Sequence, residues 1–364
     1  MYVNHVTLRQ TLLKHYDPLV IPTKTGSGTV SVTMTMYIQN VQRFDESAHT
    51  LSSIVTWDIY WTDSHLSWNK TEYDGVNSIY MKASTVWIPD IFITNAVEDQ
   101  RLQQEDDILQ VWSSGEVMWI PMRKLDTVCE LNVQAYPFDT QKCHIELEGW
   151  IHDIYNIMLK PEGKGYSFSY YTPNSAWELK SVSIFSYNKT AARVGYSRLR
   201  WTIILERRWP YHMLIVFFPV LVVMILNMMS IIIPDDCGEK LGYSVNLFLT
   251  LIVCLSFISG IMPSTSENIP YISILVSYQV FTSSLVVACS CLVAYLNKIG
   301  ERNDTFGNRF LYRLCCLRYD DRNHNVKMYL LLGQRLNRIT ALFCIFTNCI
   351  ALVIYFCFAL THVH

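Results

Sequence analysis

Charged residues are scarce in this chain and form 16% of its 364 residues, against about 25% in typical soluble domains. The formal net charge is −2, and no long run of residues with the same charge occurs. The sequence therefore lacks the basic segment that is typical of proteins that bind nucleic acid. The sequence also lacks HExxH, GxSxG, phosphate-loop and dense metal-ligand motifs. These absences argue against an enzyme, and no cofactor is expected.

Cysteine is scarce in the first part of the chain. Of eleven cysteines, only Cys129 and Cys143 precede the first long apolar stretch. Thiols in an oxidising compartment pair, so we predict a disulfide between these two, with two free buried thiols as the alternative. Asn69 and Asn188 each begin an Asn-Lys-Thr sequon in the same region and are predicted glycosylation sites.

Long stretches without a formal charge dominate the second part of the chain. A bilayer is crossed by about 20 helical residues, and four stretches reach that length: 211–233, 241–262, 269–296 and 339–360. The short connection 298–338 is rich in basic residues, so it is predicted to be cytoplasmic. The N-terminal domain and the C-terminus then lie outside the plasma membrane.

Residues 1–208 differ in pattern from the apolar remainder. Residues 4–16 predict a short amphipathic helix. Short alternating runs follow, such as 29–38 and 200–207, and turn residues separate them, which is typical of a β-sandwich. The predicted fold is an α+β membrane protein, with an extracellular ligand-binding β-sandwich over 1–208 and a four-helix transmembrane bundle over 209–364.

Several motifs follow one another along the chain. Cys129 and Cys143 enclose thirteen residues centred on Tyr136, Pro137, Phe138 and Asp139. The run Trp87-Ile-Pro-Asp, a proline inside the first span and Gly-Glu-Lys at the start of the second accompany them. This set resembles the Cys-loop receptors, the pentameric ligand-gated ion channels, and the nicotinic acetylcholine and serotonin-gated cation channels are most similar. As a divergent invertebrate member, the chain would assemble with four further subunits in membrane lipid. Its agonist would be a small molecule, with an amine as one candidate.

The resemblance implies that the second span lines the pore. Steps of three or four residues place a set of side chains on one helical face: Glu239, Gly242, Asn246, Leu249, Val253, Ser256, Phe257 and Gly260. A ring of Glu239 carboxylates would attract cations, with Asp235 and Asp236 adding negative charge nearby, and rings of Leu249 and Val253 would gate by dewetting. The alternatives are an anion-selective channel, or small polar residues that only hold helices together.

The aromatic box that this family uses for its agonist is incomplete here. Trp150, Tyr196 and Tyr187 match box positions, whereas Thr94 and Thr56 stand where aromatic residues are usual. The complementary surface would include Met118 and Ile120. An assembly subunit that does not bind agonist therefore stays open, as does plain packing for the matched aromatics.

The resemblance also implies residues that couple ligand binding to the pore. Asp139 and Arg208 match a buried ion pair, and Glu46 and Pro270 match loops near it. A static structural bridge is the alternative for the ion pair.

Overall fold

The computed structural model describes residues 2–23, 28–98, 101–191, 194–230, 233, 239–262, 268–302 and 322–361. Asp235, Asp236 and part of the predicted cytoplasmic connection, 303–321, lie outside the described residues. The chain forms two compact units, one of residues 1–131 with 140–207, the other of 132–139 with 208–364. The middle of the segment between Cys129 and Cys143 thus belongs to the second unit.

The first unit begins with helix α1, Tyr2–Leu13, which confirms the predicted N-terminal helix but starts two residues and ends three residues earlier. The rest of its described part is built from β-strands and short 3₁₀ turns. The strands are β1 Val30–Asp45, β2 Thr50–Thr62, β3 Ser78–Lys82, β4 Ile91–Ile93, β5 Ile108–Trp112, β6 Glu116–Trp119, β7 Met122–Val128, β8 Thr140–Gly149, β9 Ile157–Ser167, β10 Trp177–Ala191 and β11 Val194–Arg207.

The strands form two sheets, as the predicted β-sandwich requires. The first has the order β3-β5-β6-β2-β1-β9, with β7 also paired to β2, and the second has the order β10-β11-β8-β4. All pairs are antiparallel except β1 with β9. The predicted disulfide is confirmed: Cys129, just after β7 of the first sheet, is bonded to Cys143 in β8 of the second.

Alternating side chains build the core between these sheets. In β1, Val30, Val32, Met34, Met36 and Ile38 are buried, while the residues between them are more exposed, because successive strand side chains point to opposite faces. The largest fully buried side chains are tryptophans from both sheets, Trp57, Trp119 and Trp201.

Among the residues that the structure describes, the second unit contains four helices that are long and apolar enough to cross a membrane. They are α2 Pro210–Met229, which includes a π-helical turn at Met213–Phe217, α3 Glu239–Ile261, α4 Tyr271–Arg302 and α5 Arg322–Thr361. The four predicted spans are confirmed. Helix α5 begins well before its span and runs through it without interruption.

A pair of amides joins α4 to α5 inside this bundle. Gln279 Nε2 donates a 2.7 Å hydrogen bond to Asn348 Oδ1, and both side chains are buried. Away from water, separating such amides leaves polar groups without partners, which costs several kcal/mol in a lipid setting. The pair therefore fixes the register of α5 against α4.

A buried hydroxyl–carboxylate contact fixes the segment after α1 to the first sheet. Tyr16 Oη donates to Asp63 Oδ2 at 2.5 Å and accepts from the backbone N–H of Trp87 at 3.0 Å. Asp63 is fully buried. Burial raises the pKa of the Asp63 carboxyl, against the opposing effect of the Tyr16 hydrogen bond, and burial and Asp63 together raise the pKa of Tyr16.

Replacing Tyr16 with phenylalanine is expected to destabilise the folded chain by about 2 kcal/mol at neutral pH, because a buried charged acceptor loses a donor. When an acid has a higher pKa in the folded chain than in the unfolded chain, the folded chain loses stability as the pH rises. The loss takes place between the unfolded pKa and the folded pKa. Loss of the hydroxyl raises the folded pKa of Asp63 further, so the deficit should grow from pH 4 to pH 7, which thermal scans of the purified chain would measure. Tyr155→Phe, at a side chain 77% exposed, is the control, and equal melting of both variants at pH 7 would contradict the prediction.

Candidate functional site

A stacked aromatic pair, of an exposed tryptophan and a partly buried phenylalanine, marks one face of the second sheet. Trp150 directly follows β8 and is 58% exposed. Its ring stacks on Phe92 of β4, with centroids 5.1 Å apart and planes at 29°. Phe92 was not among the predicted site residues. The alternation of β4, which places Phe92 and Thr94 on the same side, is the signal that could have identified it.

The hairpin of β10 and β11 contributes the two predicted tyrosines, Tyr187 and Tyr196, both partly buried. Tyr187 stacks on Phe185 at 5.7 Å. The guanidinium carbon of Arg200 lies 5.2 Å from the centroid of the Tyr187 ring, and Arg200 Nη2 donates to Tyr187 Oη at 3.1 Å. One predicted wall of the aromatic box is thus already in contact with a cation of the same chain.

A network of two acids and two arginines lies beside these rings. Glu146 is its centre: its carboxylate accepts from Thr94 Oγ1 at 3.3 Å, from Arg198 Nη1 at 3.4 Å and from Arg200 Nε. Arg198 also pairs with Glu148. Burial alone lowers the pKa of Arg198, but Tyr187 and Glu148 more than offset this and raise it. The network joins β4, β8 and β11, and Thr94 acts in it as a hydrogen-bond donor.

The predicted complementary surface is only partly accessible. Met118 is partly buried and Ile120 is exposed. Thr56, however, is only 9% exposed, and its hydroxyl accepts a 2.7 Å hydrogen bond from Gln39 Nε2. Thr56 is therefore little exposed in this structure, because Gln39 of the neighbouring strand contacts it, and its role in a ligand site stays a prediction. Trp57 faces the core, as its position one residue along the strand predicts.

Helix α3 has one packed face and one open face. Its packed face contacts α2 and α4 and contains the buried residues Lys240, Ser244, Leu247, Leu251 and Ile258. The open face contains every residue that the sequence assigned to the pore: Glu239, Gly242, Asn246, Leu249, Val253, Ser256, Phe257 and Gly260 are all exposed.

The buried arginine at the end of β11 is not the predicted one. Arg208 is exposed, whereas Arg207 is 3% exposed. Arg207 Nη1 lies 2.7 Å from Glu46 Oε1, and its guanidinium carbon lies 4.4 Å from the ring centroid of Trp177. The expectation of a buried Arg208 is thus wrong, because a shift of one residue along a strand moves a side chain to the opposite face.

The segment enclosed by the disulfide contacts helices of the second unit. Asp139 and Pro270 are both buried, as is Tyr136. Tyr136 Oη is 2.8 Å from His212 Nδ1, and the backbone N–H of Tyr271 donates to the carbonyl of Gln134 at 3.0 Å. The start of α4, directly after Pro270, is therefore tied to this segment.

Both predicted glycosylation sites are sterically available. Asn69 caps a short 3₁₀ turn and is exposed. Asn188 lies on β10 within the hairpin and is also exposed. Their modification stays a prediction.

Comparisons with known proteins agree with this architecture. The family model described as the neurotransmitter-gated ion-channel ligand binding domain matches residues 5–209, and that of the neurotransmitter-gated ion-channel transmembrane region matches residues 216–327. These two matches cover most of the chain in the order that the two units require.

Curated relatives are subunits of acetylcholine receptors. The chain is 26% identical over 288 residues to acetylcholine receptor subunit alpha-type acr-16 of Caenorhabditis elegans. The matched region covers 79% of this chain and 57% of the relative. It is 28% identical over 281 residues to acetylcholine receptor subunit alpha-1-A of Xenopus laevis, with 76% and 61% covered. It is 27% identical over 271 residues to neuronal acetylcholine receptor subunit beta-4 of Bos taurus, with 74% and 54% covered. The chain thus spans less than two thirds of the length of these relatives.

The family that both matches identify consists of ligand-gated ion channels and not of enzymes. The two matched regions correspond to the β-sandwich and to the helices that are long and apolar enough to cross a membrane. This chain therefore belongs to the neurotransmitter-gated ion-channel family and is a multi-pass membrane protein.

Proposed function

We propose that this chain is a subunit of a pentameric, cation-selective channel that an extracellular small molecule opens. The observation that supports this best is the division of α3 into a packed face and an open face. Polar residues within a span face protein or water rather than lipid. An open face with Asn246, Ser256 and a terminal Glu239 fits a water-filled axis shared with four further subunits.

Charge at one end of this face is the proposed basis of selectivity. Five copies of Glu239 would form a ring of carboxylates that concentrates cations and repels anions. Leu249 and Val253, both exposed on the same face, would form the apolar constriction that closes the pore by dewetting. Lipid would surround the outer surfaces of the helices.

Ligand binding is proposed at the face that contains Trp150, Phe92 and the hairpin tyrosines, with Met118 and Ile120 of a neighbouring subunit opposite. The N-terminal unit and the C-terminus would lie outside the cell. Glu46, Asp139 and Pro270 stay the proposed coupling residues. Arg207, which pairs with Glu46, takes the place of the exposed Arg208 among them.

A second candidate function follows from how few aromatic rings the site leaves available to a ligand. The Tyr187 ring is already in contact with Arg200, and Thr94 supplies no aromatic wall. This favours, as the alternative, an assembly subunit that contributes to the pore but binds no agonist. Current from the chain expressed alone would exclude it, whereas silence alone with current on co-expression of a related subunit would support it.

Replacing Glu239 with glutamine is expected to lower the cation-to-anion permeability ratio by about tenfold, since a loss of about 1.4 kcal/mol at the ring corresponds to that factor. Reversal potentials in oocytes under sodium and chloride substitution would measure it. Gly260→Asp is the matched variant, since a Cβ atom there has no other atom within 4 Å. Its ring of carboxylates should restore selectivity when it is combined with Glu239→Gln. A chloride reversal potential in the unmodified channel would overturn cation selectivity, and an unchanged ratio in Glu239→Gln would remove Glu239 from the filter.

A further inference from the structure

A guanidinium group lies beside the stacked pair of Phe92 and Trp150. The backbone of Arg101 forms an antiparallel bridge with that of Phe92, and the guanidinium carbon lies 5.7 Å from the centroid of the Phe92 ring. Phe92 in turn stacks on Trp150. Arg101 is exposed and, among the residues that the structure describes, forms no ion pair.

Arg101 and Arg200 already contact two of the aromatic rings at the proposed site. A cation over an aromatic face gains about 0.5–2 kcal/mol, and here Arg101 lies over Phe92 and Arg200 over Tyr187. A cationic ligand would compete with these groups for the two rings and would approach a like charge at Arg101. The arrangement therefore disfavours a simple amine.

The two arginines differ in how their charge is balanced. Arg200 pairs with Glu146, which holds it within the network of β8 and β11. Within the described part of the chain, Arg101 has an aromatic partner instead, and an aromatic face leaves the N–H donors at the edge of the guanidinium plane available to a ligand. Arginine binds carboxylates through two parallel hydrogen bonds, which are stronger than neutral ones.

We propose that the ligand of this site has a carboxylate that pairs with Arg101 and an apolar or aromatic part that lies on Trp150. This rests on the proposed function, which makes the face of Trp150 the agonist site. It makes Arg101 the specificity-determining residue of that site and extends the ligand class from amines to small organic acids and zwitterions.

A pair of probes that differ only in charge tests the inference. We would titrate the purified full-length chain, in lipid nanodiscs, with 3-phenylpropionate and with 3-phenylpropylamine, and follow binding by saturation-transfer NMR. The acid should bind about tenfold more tightly than the amine, and Arg101→Gln should weaken the acid by about tenfold, the scale expected for one charge-assisted pair. Arg43→Gln, at an arginine side chain that is 71% exposed on β1, is the matched control and should change neither affinity.

Trp150→Leu separates the two halves of the ligand, since it should weaken both probes equally. Tighter binding of the amine, equal effects of Arg101→Gln and Arg43→Gln, or no binding of either probe at millimolar concentration would each overturn the carboxylate assignment. Cation current gated by an amine through Trp150 would leave the proposed function intact while removing this inference. If the acid bound in a way that depended on Arg101, but the chain gave no current alone or on co-expression, this inference would stand and the proposed channel function would not.

Discussion

Replacing Glu46 with alanine is expected to destabilise the folded chain by about 3 kcal/mol, the scale found when one partner of a buried ion pair is removed. Arg207 keeps its contact with the Trp177 ring at 4.4 Å, but its side chain, only 3% exposed, loses a carboxylate oxygen at 2.7 Å. The apparent melting temperature of the purified chain, and its amount at the cell surface, should both fall. Glu46→Gln, which keeps an acceptor without the charge, should fall between the parent and the alanine variant.

The neighbouring pair of Arg43 and Asp45 supplies the control for this prediction. Its side chains are much more exposed, and exposed pairs contribute at most about 1 kcal/mol. Arg43→Ala should therefore leave the melting temperature nearly unchanged. If Glu46→Ala and Arg43→Ala melt at the same temperature, the pair at Arg207 is not the stabilising contact that we describe.

Replacing Leu249 with serine is expected to produce current without ligand and to lower the half-maximal agonist concentration by about tenfold. A narrow apolar ring excludes water and so opposes conduction, and five hydroxyl groups would let water enter. A change of about 1.4 kcal/mol between closed and open states accounts for a tenfold shift. Oocyte recordings before and after ligand would measure both effects.

Leu249→Ile keeps the ring apolar and should leave the closed channel silent. Normal ligand dependence in the serine variant, at normal surface expression, would mean that Leu249 does not form the closed constriction. The same result would weaken the proposed orientation of the α3 face.

The architecture was predictable because its signals are periodic or compositional. Four spans follow from uninterrupted apolar length, and the sandwich follows from alternation such as that of Val30 to Ile38. The disulfide follows from there being two cysteines, Cys129 and Cys143, in the outer part of the chain. The open face of α3 follows from steps of three and four residues that begin at Glu239.

The details of the candidate site depend on strand register, which a single sequence does not fix. The exchange of Arg208 for Arg207 is a shift of one position at the end of β11, where alternation decides which side chain is buried. The burial of Thr56 depends on Gln39, a residue of a neighbouring strand. The contacts of Arg101 with Phe92 and of Arg200 with Tyr187 join residues on different strands, and no local pattern indicates them.

The length of α5 has a mechanical consequence. At 1.5 Å per residue its 40 residues extend about 60 Å, twice the roughly 30 Å of a hydrocarbon core. We expect the excess length to project beyond the hydrocarbon core at the N-terminal end of the helix. Because the Gln279–Asn348 amide pair joins the apolar part of the helix to α4, a tilt of the fourth span would then move the projecting end. A protein that bound this end would oppose the tilt.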